Sequence, residues 1–121
     1  CPAIALRESG GFALGASGGR KIMPAVLQLI HFLIDGRMNL EDAFHQPRID
    51  HSGGEHVVLD RLLKPEVRSS VSGRFPVLEA EHTSFPLYFA CPSAVMQDGN
   101  ENYGATAITH AWAEAVVEPG G

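Results

Sequence analysis

Apolar runs with two different spacings divide the chain. Residues 3–7 (AIALR) and 12–14 (FAL) are short apolar stretches separated by Glu8-Ser9-Gly10-Gly11, which predicts a β-hairpin turning on its glycines. The second stretch leads into Gly15-Ala16-Ser17-Gly18-Gly19-Arg20-Lys21-Ile22, a glycine-rich junction between strand and helix. Residues 22–34 (IMPAVLQLIHFLI) then predict a helix whose apolar positions cover well over half its circumference, so it should be buried between other layers. Pro24 belongs in its first turn, and Asp35-Gly36 should end it, with Gly36 as a left-handed cap. Asn39 predicts the N-cap of a second, short helix, LEDAFH, with Glu41 and Asp42 in its first turn and Pro47 as its stop.

Beyond that helix the spacing changes. His51-Ser52-Gly53-Gly54 predicts a loop, residues 56–60 a strand, and Lys64-Pro65-Glu66 the start of a short helix to about Ser70. Residues 75–81 predict a strand or strand edge, given Pro76. Residues 93–97 and 103–107 flank Asp98-Gly99-Asn100 as a second hairpin, and Pro119-Gly120-Gly121 should fray. A hairpin, two helices and then further strands imply one α+β domain spanning residues 1–121, with antiparallel strands and the helices packed on one sheet face.

Composition narrows the function classes. The 121 residues are 45% hydrophobic and 19% charged, an ordinary globular balance large enough for one core. A formal charge of −5, with Arg20-Lys21 the only adjacent basic pair, argues against nucleic acid as a partner. Residues 22–34 are too short to cross a bilayer core of about 30 Å, so no membrane is implied. No signal peptide is visible, and an opening on Cys1-Pro2 rather than Met suggests a processed chain or a cut-out piece. Cys1 and Cys91 form neither a disulfide framework nor a metal motif.

The glycine junction raises three chemistries. A phosphate loop fails because Arg20 stands where glycine is needed before Lys21, and Ile22 where a hydroxyl is needed. A dinucleotide fingerprint fails at Ser17, so no cofactor is implied. Two readings stay open: Gly18 and Gly19 present N–H donors at a helix start to a carboxylate or developing oxyanion, or they only permit a tight turn. Histidines 31, 45, 51, 56, 82 and 110 make no metal-binding spacing, and Ser17 lacks a nucleophile-elbow context. Cys1 invites the amine-assisted terminal-nucleophile mechanism by position alone.

Taken together, Cys1–Arg7, Gly15–Ile22 and residues 24–51 (PAVLQLIHFLIDGRMNLEDAFHQPRIDH) resemble the gamma-glutamyltransferases, or glutathione hydrolases, in the distal part of their small subunit. The combination of Gly18-Gly19, a helix ending in Asp35-Gly36, and Ala43, Pro47, Arg48 and His51 carries the resemblance, and residues 100–106 (NENYGAT) resemble the closing strand. It implies a partial αββα sandwich of the N-terminal-nucleophile hydrolase superfamily, with a buried helix pair. It also implies Gly18 and Gly19 as the oxyanion hole for a γ-glutamyl transition state, each donor worth on the order of 3 kcal/mol. Two departures are visible: Ala16-Ser17 replaces the family's Ser-Pro, and residues 105–108 replace its Asp-Pro-Arg.

By the same resemblance the nucleophile, the substrate-carboxylate serines and a large-subunit arginine lie upstream of this chain, and Cys1 falls inside a strand and is not catalytic. The expected partners are the remainder of its own precursor and a small γ-glutamyl substrate, in a periplasmic or secreted setting. The fragment alone should be inert and, with a sheet edge and a helix face uncovered, prone to self-association. An acylase of the same superfamily acting on a different amide, or a non-catalytic structural or binding domain retaining the fold, is the alternative.

Overall fold

The two opening apolar runs pair as antiparallel strands, β1 (Ala3–Arg7) and β2 (Gly10–Ser17), with Ala3 opposite Leu14 and Arg7 opposite Gly10. The computed structural model describes residues 2–83 and 86–119; Cys1 and the final Gly120-Gly121 lie outside the described residues. The hairpin turns on Glu8-Ser9, and Gly10 and Gly11 sit within β2. The physical reason is crowding: a Cβ on Gly10 would lie 2.1 Å from the carbonyl oxygen of Gln97 on a neighbouring strand.

A single 3-10 turn, Gly19–Lys21, leads into α1 (Ile22–Ile34), and Asn39 caps α2 (Leu40–His45) by accepting a 2.7 Å hydrogen bond from the Asp42 N–H. Downstream lie β3 (Ile49–Asp50), β4 (Val57–Asp60), α3 (Pro65–Ser72), β5 (Val77–Ala80), β6 (Cys91–Asp98) and β7 (Glu101–Thr106). Strands β1-β2-β6-β7 form an all-antiparallel sheet in that order. A second sheet, β3-β4-β5, pairs β4 with β5 in parallel through α3 as the crossover. The architecture is α+β, as the element order predicts, with one parallel pair added to the antiparallel strands.

Helices α1 and α2 pack on one face of the four-stranded sheet. Leu14 and Ala94 from the sheet meet Val26, Leu29 and Leu33 of α1 and Leu40, Ala43 and Phe44 of α2 in one apolar cluster. Each fully buried Leu of this kind contributes about 1.5–3 kcal/mol of transfer free energy. The opposite side of α1 is not covered: Met23, Leu27 and Ile34 stay exposed, as do Ile4 and Leu6 on the edge strand β1. The expected burial of α1 between layers is therefore met on one side of the helix.

Helix α1 ends differently from the expectation. The left-handed residue is Arg37, at φ 50°, rather than Gly36. Gly36 is needed for room instead, because a Cβ there would sit 2.7 Å from the Phe32 carbonyl oxygen. At the far end of the sheet the two hairpin tips are joined. Gly99 N–H donates to the Ser9 carbonyl at 2.7 Å, Ser9 Oγ donates to Asp98 Oδ1 at 3.1 Å, and Arg7 pairs with Asp98 at 3.2 Å.

Candidate functional site

Strand β2 carries the chain to Ser17, which pairs with Cys91 at the start of β6, and the backbone then bends through Gly18 and Gly19 into α1. Gly18 takes φ 138° and Gly19 φ 60°, both outside the range that side-chain-bearing residues adopt readily. Their surroundings differ. A Cβ on Gly18 would lie 3.0 Å from Ala90 Cα and 3.1 Å from Ala90 Cβ, whereas one on Gly19 would meet nothing within 4 Å. Gly18 is thus pressed against the residue that precedes β6, and Gly19 faces open space.

The Gly18 carbonyl accepts from Lys21 N–H at 3.2 Å, while neither glycine N–H is bonded to any group among the described residues. Donors next to the N-terminus of a helix are the kind of group that can take negative charge. Lys21 Nζ, two residues on, pairs with Asp50 Oδ2 at 3.5 Å. The depression between Lys21, Arg48, Asp50 and Ala90 has no room for a water molecule. Gly19 is exposed and Gly18 half-buried, so any walls around a ligand there must come from elsewhere.

Behind the glycines lies a set of buried charges, of which the sequence singled out only Arg48. Arg48, Asp50 and Asp60 are all buried. Arg48 Nη2 donates to the Ala90 carbonyl at 3.1 Å and faces His82 Nε2 at 3.0 Å. Because a guanidinium only donates, His82 Nε2 must accept, so its imidazole is neutral with the proton on Nδ1. That Nδ1 lies 2.6 Å from Asp60 Oδ2, a contact of ion-pair distance rather than a well-aligned hydrogen bond. Asp60 Oδ1 accepts from Leu62 N–H at 2.8 Å. Burial, then the neighbouring Arg48 charge, lower the His82 pKa against the pull of Asp60. Burial also works against the Arg48 charge, with Cys91, Asp60 and Asp50 opposing it.

The other candidate residues do not converge. Ser17 ends β2 exposed, and burial pushes the Cys91 thiol up, away from the thiolate a nucleophile needs. His31 pairs with Asp35 on the surface, His45 contacts its own helix's backbone at the Glu41 carbonyl, and no three His, Cys, Asp or Glu side chains among the described residues are grouped to hold a metal. Of the four residues singled out beside Gly18-Gly19, Ala43 is buried in the apolar core, Arg48 joins the buried charges, Pro47 is half-buried and His51 is exposed. A cleft of about 650 Å³ lies at the opposite end of the sheet, bounded by Leu6, Phe12, Leu33, Arg37 and Met96, and is remote from the glycine pair.

Several solved structures have this architecture. A gamma-glutamyltranspeptidase from Pseudomonas nitroreducens superposes with a TM-score of 0.75 at 18% sequence identity, covering 98% of this chain and 62% of that one. The fold is that of the gamma-glutamyltranspeptidases. Helicobacter pylori gamma-glutamyltranspeptidase gives a TM-score of 0.74 at 22% identity over 91% of this chain, and the Bacillus anthracis transpeptidase CapD 0.68 at 18% over 88%. Among curated proteins, an Acylase ACY 1 proenzyme from Pseudomonas sp. (strain SE83) is 46% identical over 54 residues, 44% of this chain and 10% of that protein. A second Acylase ACY 1 proenzyme, from strain V22, is 44% identical over 54 residues. No family model matches. The chain thus spans about a tenth of the acylase precursors and, at 62%, somewhat under two thirds of the P. nitroreducens transpeptidase chain with the same fold.

Proposed function

We propose that this chain supplies the oxyanion hole of an acyl-transferring enzyme of the gamma-glutamyltransferase kind. The observation that carries the reading is the pair of N–H groups on Gly18 and Gly19, beside the start of α1, with no partner among the described residues. In this reading a nucleophile outside the chain attacks the carbonyl carbon of a γ-glutamyl amide. The carbonyl oxygen takes up the charge and is held by the two amides; the amine leaves, and water or a second amine releases the acyl group. The chain's own part is the fixed donor pair, without a cofactor.

The exposed apolar side chains of β1 and the outer face of α1 fit a chain that packs against other parts of a larger protein, its own precursor in this reading. Alone, the chain would lack activity and associate with itself; light scattering showing only monomer over a wide concentration range would count against that. The catalytic reading is tested in the full-length protein with Gly19→Val, which a β-branched side chain at φ 60° forces out of position. The expected outcome is a fall in γ-glutamyl anilide turnover of about 10²–10³-fold with the fold retained. Wild-type turnover would sink it and favour a binding domain.

A second reading concerns the acyl group. The 54-residue match at 46% identity is to an acylase proenzyme, so a different amide substrate has its own support. Comparing γ-glutamyl with other acyl anilides on one preparation separates the two, and the Gly19→Val loss is expected for whichever substrate is turned over.

A further inference from the structure

Gly18 is shaped by Ala90, and Ala90 is held by a buried arginine. Gly18 has no room for a Cβ because Ala90 Cα would lie 3.0 Å from it, so the place of Ala90 decides where the bend after β2 runs. The Ala90 carbonyl is in turn bonded by Arg48 Nη2 at 3.1 Å. Arg48 is only 6% exposed, and its Nη1 has no hydrogen-bond partner among the described residues. A buried guanidinium with an unused donor is a costly device for closing a core, where an apolar side chain of similar volume would serve. Its second contact, His82 Nε2 at 3.0 Å, is oriented by Asp60 behind it, and the His82 ring packs 4.1 Å from that of Phe89, the residue before Ala90. Both contacts of Arg48 therefore bear on the segment that abuts Gly18.

We infer that Arg48 is a positioning residue for the Gly18–Gly19 donors, acting through Ala90 and oriented by His82 and Asp60. This rests on the oxyanion reading above. Nothing reacts at Arg48. It fixes a carbonyl, the carbonyl's residue fixes Gly18, and the two N–H groups keep one direction as charge builds on a bound acyl oxygen. Lysine keeps the charge and one donor toward Ala90 but cannot span both partners from one rigid fork, so it should recover only part of the effect.

The test uses the full-length protein with Arg48→Met, Arg48→Lys, Ala90→Gly and Gly19→Val. For each, kcat and KM are measured on an acyl anilide that the wild type turns over. Affinities are measured for a boronate that forms a tetrahedral adduct and for the product carboxylate. Displaced donors should lower kcat by about tenfold to a hundredfold in Arg48→Met with KM unchanged. Boronate affinity should fall in proportion, product affinity should stay constant, and Arg48→Lys should lie between the two. If Arg48→Met does not fold, Ala90→Gly carries the same expectation at smaller size, since it loosens the contact with Gly18 and leaves the arginine in place. Full kcat in both Arg48→Lys and Ala90→Gly, or equal weakening of boronate and product, overturns the inference. An inactive Gly19→Val beside fully active Arg48→Lys and Ala90→Gly overturns this inference alone; a fully active Gly19→Val overturns the oxyanion reading with it.

Discussion

Beneath α1, Leu14 and Ala94 of the sheet meet Val26, Leu29 and Leu33 in a cluster of apolar side chains. Around β4, a few residues of equal burial carry Arg48, Asp50 and Asp60 instead, with Val58, Ala80 and Phe89 as the apolar remainder. The two regions hold together by different rules. In the first, each side chain adds its own share of transfer free energy, and losing one leaves the others working. In the second, each ion was withdrawn from water on condition that its partners are present, so removing one strands the rest. The glycine pair stands at the seam: Gly18 continues β2 from the apolar region and touches Ala90, which belongs to the charged one.

The largest effect should come from breaking the charged region at its most buried member. Asp60 is 2% exposed, and Asp60→Ala leaves the buried Arg48 without a nearby counter-charge and the His82 Nδ1–H without the carboxylate beside it, at an expected cost of about 3–5 kcal/mol in urea unfolding. Leu29 has no exposed surface, and Leu29→Ala should cost about 3 kcal/mol through a cavity that the rigid sheet beneath cannot fill. A double variant sharpens the comparison: the two losses should add, since the sites share no partner, and a strong coupling would show that the regions are not independent.

Acid separates them further. The folded chain holds the His82 pKa below its ordinary value, chiefly by burial and then by Arg48. The unfolded chain therefore takes up a proton near pH ~6.5 that the folded chain refuses. This contribution to stability is full above that pH and shrinks as pH falls below it. Unfolding midpoints on either side of that pH should diverge more for wild type than for His82→Gln, and parallel slopes would show that His82 is not responsible. The smallest effect should lie at the helix cap of the apolar region, where Asn39→Ala removes one satisfied N–H for about 1 kcal/mol.

How much of this was legible in the sequence depends on which region is read. Period placed the elements where neighbours in sequence are neighbours in space, the hairpins, α1, and α2 with its Asn39 cap, while the first turn fell on Glu8-Ser9 and the left-handed residue after α1 on Arg37. The strand β3 is two residues long and carries no period, and the parallel pairing of β4 with β5 follows from the crossover through α3 rather than from either strand's composition. Arg48, Asp60 and His82 lie far apart along the chain, so only their shared burial unites them. Beside the Pro47-Arg48 segment, the local signal was an acid closing the apolar run Val57-Val58-Leu59, where a fully buried strand would sooner end on another hydrocarbon. At the glycines, the sequence left open whether the pair bends the chain or offers donors. The geometry gives each glycine its own conformational reason: Gly18 is crowded against Ala90, and Gly19 has a left-handed backbone in open space.

The knot of Ser9, Asp98 and Gly99 has a practical consequence. Because one turn's carbonyl is bonded to the other turn's amide, the tips have lost their independence, and an extra residue in either would unfasten both. Reporter groups and peptide insertions belong instead in the exposed stretch from Gly53 to His56, whose displacement would disturb neither sheet.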